Sequence, residues 1–214
     1  MKARRILLFP LPGVVLLPGT LLPLHIFEPR YRAMVADALE GDRTIGMAML
    51  KPGWESREEP LPIYPIGGAG GIVDSEELPD GRYNIVLEGR FRYRILEEAE
   101  AKPYRSARVE EVPTGRFPTV REAARVSRLA TRLFRKVSLA MELPPLPREA
   151  LSSERLASEL ALRLRYTPEE LQELLETDSL AARFDLLVGR MAEWEKRIRF
   201  LAPFRPPDLD GTRN

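Results

Sequence analysis

The chain offers few side chains of the kind that make and break bonds. His25 is the only histidine and there is no cysteine. A metal centre would need His25 joined by carboxylates, and an acyl-transfer triad would need a placed serine and aspartate beside it. His25 instead stands among apolar residues in Leu21–Phe27, where a structural hydrogen bond or a surface position is expected of it. The run Gly67-Gly68-Ala69-Gly70-Gly71 has the composition of a phosphate loop but lacks the Gly-Lys-Ser/Thr ending that grips phosphate and magnesium, and no helical pattern follows it. Glycines within a strand more often allow a bulge or a close backbone approach. No cofactor, no metal and no catalytic activity are expected.

Binding chemistry is better represented. Arg121, Arg125, Arg128, Arg132 and Arg135 recur at +4, +3, +4, +3, one stripe of a helix at 100° per residue. Val126, Leu129, Leu133, Val137 and Ala140 form the opposite, core-facing stripe. Such a row is either a solvated face or a seat for acidic groups, and Glu169, Glu173 and Glu176 make a matching stripe that could serve internally. Arg90, Arg92 and Arg94 alternate with Phe91, Tyr93 and Ile95, which places the arginines on one face of a strand. With Arg82, Arg105 and Arg108 they are the basis for a nucleic-acid reading. Interleaved Glu88, Glu97, Glu98 and Glu100 weigh against it. Phe27, Tyr31, Trp54 and Tyr64 lie near strand ends or loops, and any exposed subset would grip a peptide, since aromatic rings bring apolar area at low entropy cost.

The 22 uncharged residues Ile6–Phe27 suggest a membrane span, but Pro10, Pro12, Pro18 and Pro23 would break such a helix repeatedly. Short buried strands at Ile6–Phe9, Val14–Leu17 and Leu21–Phe27 fit better. Pro29 opens a helix whose apolar stripe is Tyr31, Met34, Val35, Ala38 and Leu39, with Gly41 at the place of a left-handed cap. Thr44–Leu50 reads as a strand, Lys51–Pro60 as a polar loop and Leu61–Val73 as an apolar, glycine-rich stretch. Pro79-Asp80-Gly81 turns into Arg82–Leu87, Gly89 marks a bulge, and Tyr104–Val112 closes the series. These strands around one helix predict a small closed or nearly closed barrel. After Pro113–Pro118 only helices are expected: Val120–Met141, Ser153–Tyr166, one capped by Thr167, and one from Asp178 or Ser179 to about Leu201. The fold class is α+β, divided as a β-rich lobe (1–116), a four-helix bundle lobe (117–203) and a loose tail (204–214).

The 33 Arg and Lys balance 32 Asp and Glu, so no global field draws the chain to nucleic acid or anionic lipid. With no targeting segment apparent, the cytoplasm is the expected compartment. The bias to 28 Arg against 5 Lys, with 20 prolines and no cysteine, hints at a thermophilic source.

The run Leu24-His25-Ile26-Phe27-Glu28-Pro29-Arg30-Tyr31-Arg32 resembles the start of the amino-terminal domain of Lon proteases, in its free-standing version. The likeness recurs at Leu78-Pro79-Asp80-Gly81, at Val86-Leu87-Glu88-Gly89-Arg90 through Arg94-Ile95, and in the helices ending near Leu201. The resemblance implies a PUA-like β lobe followed by a helical lobe. It also implies a substrate-engaging role, with protein or unfolded polypeptide as partner. The Ser–Lys protease and ATPase modules follow this domain in Lon, and neither is present before the end at Asn214, so neither proteolysis nor ATP use is implied. PUA-like barrels also occur in RNA-binding proteins, which keeps nucleic acid as the alternative. A small-molecule sensor is a third possibility that no polar constellation supports.

Overall fold

A computed structural model describes residues 3–58, 60–99 and 103–201, so the tail expected at 204–214 lies outside the described residues. β1 (Arg4–Leu11) and β3 (Thr44–Met49) are apolar runs of the kind found in strands covered on both faces. They lie parallel, Leu7 opposite Ile45, and every residue of β3 is buried. The segment between them holds β2 (Leu21–Ile26) and α1 (Pro29–Glu40). β4 (Ile66–Glu77), β5 (Tyr83–Ala99) and β6 (Arg105–Val112) complete a sheet of order β2-β5-β4-β3-β1-β6. β5 is long enough to change neighbours: Tyr83–Glu88 pairs with β2, while its end, from Arg92 to Ala99, pairs with β6. The pairings therefore run in a ring through β1, β3, β4, β5 and β6, with β2 attached outside it.

Inside that ring Tyr93 packs with Ile6, Leu8, Ala69 and Val109, and its hydroxyl donates to the Met47 carbonyl at 2.9 Å. The predicted strand Val14–Leu17 does not form. The segment runs as a loop over the sheet with Leu16 and Leu17 buried, and it explains the glycines beneath. A Cβ on Gly68 would sit 1.9 Å from the Leu16 carbonyl oxygen, and one on Gly89 would sit 2.2 Å from that of Leu17. Backbone lies directly on backbone here, an approach only glycine allows. The predicted bulge is present, with Gly89 opposite Gly70 and Phe91 opposite Ala69, leaving Arg90 between them unpaired in the β4 register.

α1 begins at Pro29 and buries Tyr31, Met34, Val35 and Ala38, the expected stripe. Its end departs from expectation. Gly41 has φ −97° and is not left-handed; the chain reverses two residues later at Arg43, φ 58°, where Asp42 accepts the Thr44 N–H at 3.0 Å.

α2 (Val120–Met141), α3 (Ser153–Arg163), α4 (Pro168–Glu176) and α5 (Leu180–Leu201) follow. Thr119, Ser152 and Thr167 each accept an N–H three residues on, and Thr167 with Glu170 completes a reciprocal capping box. α2, α3 and α5 pack on one another, whereas α4 packs against β4 and reaches α5 through the Glu170–Arg190 ion pair. Their core contains Phe134, Leu160, Phe184 and Leu187 together with Leu17 and Ile66 from the strand-rich half, so the two halves share apolar contacts. Leu129, assigned to the core stripe, is 44% exposed; Ala130 and Phe134 take the buried positions.

Candidate functional site

β2 ends the sheet order: it pairs with β5, and among the described residues no strand pairs with its other edge. Alternation sends Leu22, Leu24 and Ile26 toward the core and Leu21, Pro23 and His25 outward, and Phe27, just past the strand, is exposed as well. An outward face on an edge strand is ordinarily polar or charged, which discourages pairing with other chains. Here it carries Leu21, 60% exposed, and Phe27, 61% exposed. Pro23 is tolerated because an edge strand can spare one N–H.

Next to this apolar row lies a fixed polar one. His25 is opposite Asn84, and Asn84 is opposite Glu76 on β4; Pro23, Val86 and Asp74 form the row below. Arg82 approaches His25 Nε2 through Nη1 at 3.2 Å, and since a guanidinium only donates, Nε2 accepts. Nδ1 therefore carries the proton and donates to Asn84 Oδ1 at 2.8 Å, while Asn84 Nδ2 donates to Glu76 Oε2 at 3.0 Å. The chain of bonds holds the imidazole 6.3 Å from the Phe27 ring, stacked at 27°. Arg82 is itself held by the Asp80 carboxylate at 2.7 Å, and the Arg82 backbone N–H is the main cause that lowers the Asp80 carboxyl below its ordinary range. Pro23, His25, Asp74, Glu76 and Val86 border a shallow depression of about 390 Å³. The arrangement is an apolar edge with a carboxylate rim, suited to an extended apolar segment that also carries basic residues.

The structure does not gather the four aromatic candidates. Phe27 is exposed on this edge. Tyr31 is buried in α1 against Phe9, ring centroids 4.4 Å apart, and is core. Trp54 is half-buried in a 3-10 turn, Trp54–Ser56, and Tyr64 is half-buried near Lys51, whose Nζ is 6.0 Å from the ring centroid. Leu21 and the His25–Asn84 pair were missed as site residues; the alternation of Leu21, Pro23, His25 and Phe27 carried the signal, but that β2 is an edge depends on pairing across the chain.

Arg90, Arg92 and Arg94 do not make one exposed face. Their alternation with Phe91, Tyr93 and Ile95 holds, but the helical half covers the middle of the row. Arg92 is 1% exposed and donates to the carbonyls of Leu175 at 2.7 Å, Thr177 at 3.3 Å and Pro113 at 2.8 Å, and to Asp178 at 3.1 Å. Carboxylates hold most of the rest: Arg94 with Glu110, Arg105 with Glu98, Arg108 with Glu97 and Arg82 with Asp80. Nor does the acidic stripe on α4 meet the arginines of α2. All five stay exposed, with no salt bridge among the described residues, while Lys136 beside them pairs with Glu195 of α5 at 3.0 Å. Among the described residues no helix is long and apolar enough to cross a membrane.

Residues 5–193 match the family described as the ATP-dependent protease La (LON) substrate-binding domain. The Lon protease of Dictyoglomus thermophilum is 34% identical over 185 residues, 82% of this chain and 23% of that protein. The Lon protease of Anaeromyxobacter dehalogenans is 28% identical, with 85% of this chain and 22% of that protein aligned. The chain thus spans less than a quarter of the length of these relatives. In fold it is similar to a Lon N-terminal domain protein from Xanthomonas campestris, with TM-score 0.63, 22% identity and 87% of this chain and 98% of the other covered. It is similar also to the N-terminal domain of Mycobacterium avium complex Lon protease, with TM-score 0.64, 18% identity and 88% and 98% covered. With residues 5–193, most of its length, matched by the family model, the chain belongs to the family of Lon substrate-binding domains.

Proposed function

We propose that this chain recognises polypeptide without catalysis, and that the outward edge of β2 is where an extended, apolar segment docks. The observation that carries this is the exposure of Leu21 and Phe27 on a strand whose second edge is unpaired among the described residues. An added strand would gain main-chain hydrogen bonds along β2, except from Pro23, which has no N–H, and place alternate side chains over Leu21, His25 and Phe27. Asp74 and Glu76 favour basic residues at the rim of such a segment. The ring of pairings supports a PUA-like barrel as the platform, with the helical half holding β5 in place through Arg92. Family membership supports protein as the ligand class; the carboxylates on Arg82, Arg94, Arg105 and Arg108 leave nucleic acid the weaker reading.

The test uses a fluorescein-labelled 12-residue peptide alternating Leu or Phe with Lys. The paired variant Leu21→Ala, Phe27→Ala is expected to weaken binding about 10-fold or more, the scale of a lost aromatic anchor. N-methylation of alternate peptide bonds in the probe should weaken it too, since an added strand needs those N–H groups. Equal affinity for the variant and the wild type would remove β2 as the site. Incubation with ATP and casein should leave both intact.

A further inference from the structure

We infer that the outer face of α2 and the Pro145–Leu151 segment beside it form a second docking groove, one that takes an acidic segment of a protein partner. The groove lies on the helical half, apart from the β2 edge. It is an open cleft of about 800 Å³ walled by Arg128, Arg132 and Arg135 of α2 and by Arg148 of the facing segment. Leu146, Leu151 and the buried ring of Phe134 give it an apolar side.

Three observations carry the charge argument. First, like charges three and four residues apart oppose helix formation, so an uncompensated row is held at a cost to the helix. Second, several neighbouring cations of the helical half are compensated: Lys136, on α2 itself, has Glu195, and Arg163, Arg190 and Arg199 each have a carboxylate. Third, the one carboxylate among the lining residues, Glu149, pairs with Arg155 at 3.1 Å and with none of the four cleft arginines. None of those four has a salt bridge among the described residues. The Cβ atoms of side chains on successive helical turns stand about 5–6 Å apart, and alternate side chains of an extended peptide about 6.6 Å apart. Acidic residues alternating with apolar ones would then meet the arginines with one set and Leu146 and Leu151 with the other. The apolar side favours a peptide over a single-stranded nucleic acid, because the one aromatic ring among the lining residues, Phe134, is 2% exposed and gives a base little face to stack on.

The experiment measures fluorescence anisotropy of three labelled probes on the full chain. These are a 12-residue peptide alternating Glu with Leu, its Gln-for-Glu counterpart, and a 12-nucleotide uridine RNA. The Glu peptide should bind at least 10-fold tighter than the Gln peptide and weaken as salt rises. The triple variant Arg128→Gln, Arg132→Gln, Arg135→Gln should lose at least 10-fold affinity for the Glu peptide. Its far-ultraviolet dichroism should match the wild type, because the three side chains are exposed. The Leu21→Ala, Phe27→Ala variant should bind the Glu peptide as the wild type does, so failure at β2 and failure at α2 read out separately. Absence of Glu-peptide binding, equal affinity for the Glu and Gln peptides, or an indifferent triple variant would each overturn the inference. RNA bound more tightly than the Glu peptide and released by the triple variant would overturn it in favour of nucleic acid.

Discussion

A guanidinium withdrawn from water must find acceptors for its five N–H groups. Arg92 finds four, all in the linker or the helical half: the carbonyls of Pro113, Leu175 and Thr177 and the Asp178 carboxylate. Arg183, buried next to it, donates to Thr177 and lies 3.7 Å from Glu154. Burial and the Arg92 charge hold Arg183 below the ordinary arginine range, at about 10, so it stays charged at neutral pH. Asp178 contributes least to this arrangement, since its side chain is 71% exposed and screened by water. Arg92→Ala is expected to lower the unfolding free energy by about 3 kcal/mol or more, because it strands several buried acceptors at once. Asp178→Asn should change it by less than about 1 kcal/mol. Urea unfolding checks both, and an Arg92→Ala midpoint equal to that of the wild type would deny the clamp. The period-two pattern gave the correct face of β5 for Arg92. It could not give the exposure, because what covers that face comes from residues more than eighty positions away.

Elements whose ends are specified by local hydrogen bonds were legible. α2 runs from Val120 to Met141 as its amphipathic stripe predicts, with Thr119 found as its cap, and the capping box at Thr167 and Glu170 is present. Val14–Leu17 was not legible, since an apolar run between prolines reads as a strand until its partner is known. Its partner is a row of glycines under its own peptide groups, not a ladder. Two glycine substitutions, one under that contact and one far from it, should therefore have opposite signs. Gly68→Ala should destabilise the fold by about 1–3 kcal/mol or more, because the added carbon meets the Leu16 carbonyl rather than a movable side chain. Gly189→Ala, in α5 with nothing within 4 Å of the new carbon, should stabilise it by about 0.5–1 kcal/mol. Thermal unfolding of the two variants would reverse this account of the glycine run if their order were inverted. The edge position of β2, and with it the candidate site, was illegible for the same reason: strand order is a property of pairing.

At the scale of the molecule, the continuity of apolar contacts from Leu17 and Ile66 into the helices predicts one cooperative unfolding transition rather than two. Alkaline pH offers a way to follow it. Burial pushes the Tyr93 phenol well above its ordinary range, since its hydroxyl is enclosed by the ring of strands and donates to Met47. Burial also raises Tyr166 and Tyr104, each to about 12, with Tyr104 held further by its bond to the Asp37 carboxylate. The folded state thus keeps protons that the unfolded chain gives up near pH 10. Each phenol's contribution is complete below about pH 10 and is lost as pH rises through its folded value. Stability should therefore fall between about pH 10 and 12, and tyrosinate absorbance should rise in step with the loss of helix. Comparing variants isolates the phenols. Tyr104→Phe removes one linked proton, so its stability should decline less steeply with pH than the wild type's over that window. Parallel declines for the two proteins would show that Tyr104 ionises as freely in the fold as in the unfolded chain.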